Sequence, residues 1–313
     1  MRFRRLGSSG LAVSVVGLGT NNFGTKLDAE GCREVLDAAL DAGITLIDTA
    51  DSYGASEERL GDLLHGRRDD VVIATKFGNS VRGRGGDNGE DWGARGSRRY
   101  IRRAVESSLR NLRTEWIDLY QMHTPDPQTP IEETLSALTD LVHEGKVRYL
   151  GSSNFAGWQV ADAEWVARSR GFERFVSAQN EYSLLERGVE EDLVPALEHY
   201  SIGLLAYFPL ANGLLTGKYQ RGEPAPPGSR IEQRDQAEFL TSEAFDVIED
   251  LERFAAERGR TVLEVAIGGL AAQPAVASVI AGATSAEQVR ANVQAGEWEP
   301  DAAELVRIDQ LTL

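Results

Sequence analysis

The chain has 313 residues, of which 42% are hydrophobic and 26% charged, an ordinary balance for a globular protein with a sizeable core. Its 49 acidic and 33 basic residues give a formal net charge of −16, which repels phosphate backbones and anionic lipid and argues against nucleic acid or a membrane as a partner. The single cysteine, Cys32, excludes an intramolecular disulfide and suits a reducing compartment, and we expect it to pack within a helix.

The N-terminal ten residues are basic and glycine-rich, and they contain no apolar stretch long enough for a signal peptide. No later run is long enough to span a bilayer, so we expect a cytoplasmic protein. Residues 3–6 and 11–13 flank Ser8-Ser9-Gly10. This pattern predicts a β-hairpin at the start of the chain.

Short apolar runs and amphipathic runs then alternate along the chain. The runs with strand character, short and bounded by glycine or polar residues, are 15–18, 45–48, 71–75, 117–122, 147–152, 176–180, 203–207 and 277–280. Helical patterns are predicted at 29–42, 100–112, 131–143, 158–168, 193–200 and 245–258. Two long loops interrupt the alternation, a glycine-rich one at 78–96 and one with closely spaced prolines at 209–236, and long loops are usually functional.

Eight strands that alternate with helices predict a parallel sheet with helical crossovers. Eight is the strand number that closes a (β/α)8 TIM barrel. An open doubly wound sheet is the alternative, but no Gly-x-Gly-x-x-Gly joins a first strand to a helix, as a Rossmann cofactor site requires. Since no linker-like segment divides the chain, we expect one α/β domain over residues 1–313, with the long loops at the C-terminal face of the barrel.

Four polar residues lie at or just beyond the ends of three successive predicted strands. Asp48 ends one strand, with Tyr53 on the loop that follows, and Lys76 and His123 follow the next two strands. In a barrel, the carboxyl ends of the strands meet at the face where active sites lie. We therefore expect these four side chains to meet in one catalytic site.

This set of residue types has a chemical logic. A free tyrosine, with a pKa of about 10, is a poor acid near neutrality, and a nearby ammonium such as Lys76 lowers that pKa. Asp48 would keep Lys76 charged and oriented. Tyr53 could then protonate a carbonyl oxygen as hydride reaches its carbon, while His123 hydrogen-bonds the same oxygen. Taken one by one, these residues also fit non-catalytic roles: Asp48 and Lys76 could form a structural ion pair, and Tyr53 could be an ordinary loop tyrosine.

The motifs around these residues, taken in order, resemble those of the aldo-keto reductases. They are Asp-Thr-Ala-x-x-Tyr-Gly at 48–54, Leu-Tyr-Gln-x-His at 119–123, Gly-x-Ser-Asn-Phe at 151–155, Gln-Asn-x-Tyr-Ser at 179–183 and Gly-Leu-Leu-Thr-Gly-Lys-Tyr at 213–219. The resemblance covers nearly the whole chain. It implies a barrel capped by the N-terminal hairpin, and an NAD(P)(H)-dependent oxidoreductase that interconverts aldehydes, ketones or sugars with alcohols without a metal.

The resemblance also implies the cofactor contacts. Ser153, Asn154 and Gln179 would hydrogen-bond the nicotinamide carboxamide, and Tyr207 would stack on the ring. The remaining contacts, to ribose, pyrophosphate and adenosine, would come from Thr20, Asp48, Pro209, Leu210, Gly213, Leu214, Gly217, Lys218, Ala281, Gly282, Thr284, Gln288 and Asn292. Ser285 is also predicted to be a helix N-cap.

Two departures from the family pattern bear on the cofactor. Relatives that prefer NADPH often carry Lys or Arg near the 2′-phosphate, whereas Gly282, Thr284 and Gln288 are uncharged here. Both NADP(H) and NAD(H) therefore stay open. Phe208 stands where many relatives have serine, which changes the packing beside the cofactor.

Loops would build the substrate pocket, with Asn21, Tyr53, Trp92 and His123 as its expected contacts. The basic residues of the 78–96 loop, Arg82, Arg84 and Arg95, fit either a solvated surface or an acidic substrate. Two alternative functions share this site. One is a sugar or polyol dehydrogenase that works mainly with NAD(P)+, and the other is a cofactor-binding regulatory subunit like the channel-associated members of the family.

Overall fold

Eight parallel strands close into a barrel in the computed structural model, which describes residues 1–79, 81 and 92–312. Each strand pairs with its neighbour in sequence, and the last pairs with the first, with Val279 opposite Val16. The barrel strands are β3 (Val16–Gly19), β4 (Leu46–Asp48), β5 (Val72–Phe77), β6 (Ile117–Met122), β7 (Val147–Ser153), β8 (Phe175–Glu181), β9 (Gly203–Tyr207) and β10 (Val276–Gly282). The predicted (β/α)8 barrel is therefore confirmed, and the open-sheet alternative is wrong.

Helices surround this barrel and cover the outward faces of its strands. Their bounds are α1 (Ala29–Asp41), α2 (Ser56–Leu63), α3 (Arg98–Leu112), α4 (Ile131–His143), α5 (Gly157–Arg170), α6 (Leu193–Tyr200), α7 (Arg230–Gln233), α8 (Ser242–Ala256), α9 (Val262–Ala271), α10 (Ala286–Gly296) and α11 (Ala302–Thr312). The helix α1 shows why these segments are helical. The Asp28 side chain caps its first turn, and Val35, Leu36 and Ala39 form a buried stripe at helical spacing.

The N-terminal hairpin closes the bottom of the barrel. Its strands, β1 (Phe3–Arg5) and β2 (Ala12–Ser14), pair antiparallel. Leu6 and Val13 are fully buried and pack in one apolar cluster with Leu46 and Leu119 of the barrel interior. Burying this cluster at one end leaves the opposite, C-terminal end of the barrel as the open face.

The predicted strands agree with those observed to within about two residues, but several helices were missed. The α9 segment is apolar on every face because it is almost wholly buried, so it lacks an amphipathic pattern. The α2 segment has no side-chain N-cap to mark its start. The 209–236 loop contains a 3-10 turn at Ala211–Thr216 as well as α7. None of the helices in the described part of the chain is long and apolar enough to cross a membrane.

Candidate active site

A cavity of about 880 Å³ opens at the carboxyl ends of the strands. The structure places in its lining most of the residues expected from the sequence to bind cofactor or substrate: Thr20, Asn21, Asp48, Tyr53, His123, Ser153, Asn154, Gln179, Tyr207, Pro209, Leu210, Gly213, Lys218, Ala281, Gly282, Thr284, Gln288 and Asn292. Lys76 lies beneath this surface with none of its side chain exposed. The catalytic and cofactor candidates thus share one space.

Three of the catalytic candidates form a hydrogen-bonded chain. Lys76 Nζ donates to Asp48 Oδ2 at 2.7 Å and to the Thr49 carbonyl at 2.8 Å. It also donates to Tyr53 Oη at the longer distance of 3.4 Å. All three N–H groups of the buried ammonium therefore have an acceptor, which is the condition for keeping a charge in the interior.

The loop that carries Tyr53 is held by close backbone packing. A Cβ atom at Gly24 would lie 1.7 Å from the Tyr53 carbonyl oxygen, so only glycine fits at this crossing. Thr20, in the loop after β3 that also contains Gly24, donates through Oγ1 to the Asp48 carbonyl at 2.8 Å and ties that loop to the end of β4. These contacts fix where the phenol lies relative to Lys76.

Burial decides the acidity of Tyr53. Desolvation raises the pKa of Tyr53 above its usual value, and the Lys76 ammonium offsets this only in part. Burial also lowers the pKa of Lys76, but Asp48 and Tyr53 together raise it further than burial lowers it. Lys76 therefore lowers the pKa of Tyr53, as expected, but burial raises that pKa by more, so the net shift is upward. Tyr53 keeps its proton, and Lys76 keeps its charge.

His123 stands beside the phenol as a neutral group. Its ring lies edge-on to Tyr53, with 5.8 Å between the ring centres. Burial, with a smaller contribution from the Lys76 ammonium, lowers the pKa of His123 to about 3. A neutral imidazole carries one N–H, so it can donate one hydrogen bond to a carbonyl oxygen at neutral pH.

Amide side chains occupy the cavity wall next to this group. Gln179 Nε2 donates to Asp48 Oδ1 at 2.8 Å, and its second side-chain N–H and its side-chain oxygen Oε1 have no partner among the described residues. Asn154 Nδ2 donates to the His123 carbonyl at 2.8 Å, and Asn154 Oδ1 accepts from the Tyr207 hydroxyl at 2.7 Å. Ser153 Oγ donates to the Gln179 carbonyl at 2.8 Å. Spare donors and acceptors therefore face a space beside Tyr53.

The outer part of the cavity is basic, although the chain as a whole is acidic. Lys26, Lys218, Arg230 and Arg234 all line it. The Arg230 guanidinium lies 4.4 Å from the Phe208 ring centre, and its Nε and Nη2 atoms are buried without hydrogen-bond partners among the described residues. Burial lowers the pKa of Arg230 to about 10, so it remains charged. Arg230 lies in the 209–236 loop, which the sequence predicted to be functional and whose residues were candidates for the substrate pocket, but no strand end directly precedes Arg230 to single it out.

The far end of the cavity is formed by the start of α10. Gln288 Oε1 accepts from the Thr284 backbone N–H at 2.8 Å, and Ser285 caps the helix as predicted. Gly282 and Thr284 line the cavity here, and their uncharged side chains leave this end without the positive charge found nearer to Lys218.

Besides the buried Lys76, three residues expected at the site do not line the cavity. Leu214 is 4% exposed and packs in the core, and Gly217 faces Val262. The Trp92 ring packs edge-on against Tyr100 at 5.5 Å and beneath Arg103. Trp92 therefore packs against side chains of α3, and its contact with a substrate stays a prediction. Arg95 donates to the Gly78 carbonyl, while Arg82 and Arg84 lie outside the described residues.

Comparisons with known proteins agree with this geometry. The sequence model described as "Aldo/keto reductase family" matches residues 15–312. The "Uncharacterized oxidoreductase YqkF" of Bacillus subtilis (strain 168) is 39% identical over 94% of this chain and 91% of its own. The "L-glyceraldehyde 3-phosphate reductase" of Escherichia coli (strain K12) is 33% identical over 99% of this chain and 92% of its own. A "Probable voltage-gated potassium channel subunit beta" of Oryza sativa subsp. japonica is 34% identical over 94% of this chain and 91% of its own.

Proposed function

The chain belongs to the aldo/keto reductase family, whose members are NAD(P)-dependent oxidoreductases of small carbonyl compounds, and we propose that it interconverts aldehydes or ketones with alcohols at the site formed by Asp48, Tyr53, Lys76 and His123. The observation that carries the proposal is the buried Asp48–Lys76 pair, which presents an ammonium N–H to Tyr53 Oη at the floor of the cavity. If Asp48 and Lys76 formed only a structural ion pair, they would not need Tyr53 and His123 beside them. The protonated phenol and the neutral imidazole on the cavity side therefore favour a catalytic site.

A nicotinamide cofactor, when bound, supplies the hydride. Tyr53 holds the proton that a carbonyl oxygen needs, and its burial keeps that proton in place until charge develops on the oxygen. The Lys76 ammonium then stabilises the phenolate that remains, and Asp48 balances the charge of Lys76. His123 donates its N–H to the same oxygen and orients the carbonyl. In the reverse direction the phenolate acts as the base.

The residues of the cavity fit such a cofactor. Gln179 keeps one amide N–H and its side-chain oxygen for a carboxamide, Asn154 Oδ1 keeps one lone pair, and Tyr207 offers a flat ring beside them. The Nε and Nη2 atoms of Arg230 have no hydrogen-bond partner in the part of the chain that the structure describes, and together with Lys218 they suit the phosphates of a dinucleotide. The uncharged side chains of Gly282 and Thr284 are compatible with both NADP(H) and NAD(H).

Turnover by the purified protein tests the proposal. The protein is mixed with NADPH or NADH and a panel of aldehydes, ketones and aldoses, and the loss of absorbance at the reduced nicotinamide band is followed. We expect reduction of at least one carbonyl, with dissociation constants for the two nucleotides measured in parallel. Tight nucleotide binding without turnover in either direction would instead support a cofactor-binding regulatory subunit; the rice relative is named as a probable channel subunit. Turnover only with alcohols and NAD(P)+ would support a polyol dehydrogenase.

A further inference from the structure

We propose that the Tyr207 hydroxyl and the Asn154 amide form a positioning pair that sets where the His123 imidazole lies, beyond their contacts with the cofactor. The proposal rests on the function given above. The proposed role belongs to the hydroxyl group of Tyr207. Stacking on nicotinamide needs only the ring of Tyr207.

His123 needs such a positioning pair because few contacts hold its imidazole. Among the described residues its imidazole makes no hydrogen bond, and Nδ1 is buried without a partner. Its position is therefore set by its ring contact with Tyr53 and by its backbone. That backbone is held at two points: the N–H donates to the Phe77 carbonyl at 2.8 Å, and the carbonyl accepts from Asn154 Nδ2 at 2.8 Å.

Asn154 is itself held in an uncommon conformation. Its φ of 60° is in the left-handed region, which asparagine tolerates better than most residues. Its backbone N–H donates to the Gln179 carbonyl at 3.0 Å, so the residue is anchored to the end of β8. The side chain can then reach toward β6, where it meets the His123 carbonyl.

The Tyr207 hydroxyl completes the arrangement from the opposite direction. Tyr207 ends β9, and its side chain crosses β8 to donate to Asn154 Oδ1, which follows β7. This bond at 2.7 Å fixes which way the amide faces, because the oxygen must point toward Tyr207 and the nitrogen toward His123. One lone pair of Asn154 Oδ1 stays available for a carboxamide N–H. The polar chain thus links the ring that stacks on the cofactor to the residue that orients the substrate.

A Tyr207→Phe variant tests this role because it keeps the ring and removes only the hydroxyl. With saturating cofactor and the best carbonyl substrate, we expect kcat to fall about tenfold, while the cofactor dissociation constant changes less than about threefold. The matched control is Tyr149→Phe. Tyr149 packs against the apolar cluster at the closed end of the barrel and does not line the cavity, so this change should leave kcat and cofactor affinity as they are.

The decisive comparison repeats Tyr207→Phe in a His123→Ala background, measured by single turnover. If the hydroxyl acts through the imidazole, its removal there should cost less than about twofold, since interacting groups are not additive. An equal fall in both backgrounds would overturn the proposal, and so would an unchanged kcat, or a weaker cofactor affinity with kcat unchanged. Failure of the wild-type protein to reduce any carbonyl is a separate outcome, which removes the proposed function itself.

Discussion

Removal of the Lys76 ammonium should destabilise the fold as well as stop catalysis. Lys76 is fully buried and Asp48 is 4% exposed, so a Lys76→Met variant leaves a carboxylate in the interior with Gln179 as its remaining side-chain donor. Breaking a buried ion pair by removing one partner costs about 3–5 kcal/mol. Methionine is close to lysine in length, so we expect the cost to come from the lost charge and not from a cavity.

Urea unfolding followed by tryptophan fluorescence gives the magnitude. With a slope of about 3 kcal/mol per M for a chain of this size, a loss of about 4 kcal/mol lowers the midpoint by more than about 1 M. The control is Lys146→Met, which removes a surface lysine that pairs with Glu106 and Glu144 and is 31% exposed. Exposed pairs contribute about 0–1 kcal/mol, so its midpoint should hardly move.

A double variant, Asp48→Asn with Lys76→Met, separates the two causes. It removes both charges, so it should recover part of the stability that Lys76→Met alone loses, because the uncompensated carboxylate is gone. A Lys76→Met loss no larger than that of Lys146→Met would refute the reasoning. It would mean that the Asp48–Lys76 pair is not desolvated in solution as the structure shows it.

Three further changes have expected outcomes. Because the pKa of His123 falls from 6.5 to about 3 on folding, its contribution to stability is complete above pH 6.5 and is lost as the pH falls from 6.5 toward 3. At pH 5, protonation of this group stabilises the unfolded state by about 2 kcal/mol. In urea unfolding at several pH values, His123→Gln should therefore lose less stability than the wild type as the pH falls. Parallel stability profiles for the two proteins would contradict this. Gly24→Ala should cost about 1–3 kcal/mol and at least about tenfold in kcat because it displaces Tyr53, whereas Gly10→Ala, with open space around it, should cost neither. Lys218→Met should weaken cofactor binding at least about tenfold in a fluorescence titration, and an unchanged affinity would place the phosphates elsewhere.

The barrel and the position of the catalytic group could be predicted because both depend on local patterns. Short apolar runs at regular intervals gave all eight strands, and residues that follow strand ends, such as Lys76 and His123, necessarily meet at one face. A segment that is buried on every side, such as α9, carries no periodic signal and was missed.

The electrostatics of the site could not be predicted in the same way. The sign of the pKa shift of Tyr53 depends on how completely the surrounding loops exclude water. A local sequence motif does not show the extent of that exclusion. Arg230 lies far along the loop that follows β9, so only the folded chain shows that it lines the cavity. The packing of Trp92 against Tyr100 could not be specified either, because a glycine-rich stretch of sequence does not show which neighbour an aromatic ring meets.

The central claim, that Tyr53 is the proton donor in carbonyl reduction, is tested most directly by Tyr53→Phe. The measurement is kcat with the best carbonyl substrate under saturating NADPH or NADH, together with the dissociation constant of the same nucleotide. We predict that kcat falls at least about 100-fold while the nucleotide affinity stays within about threefold of the wild-type value. A Tyr53→Phe variant with full kcat would contradict the account.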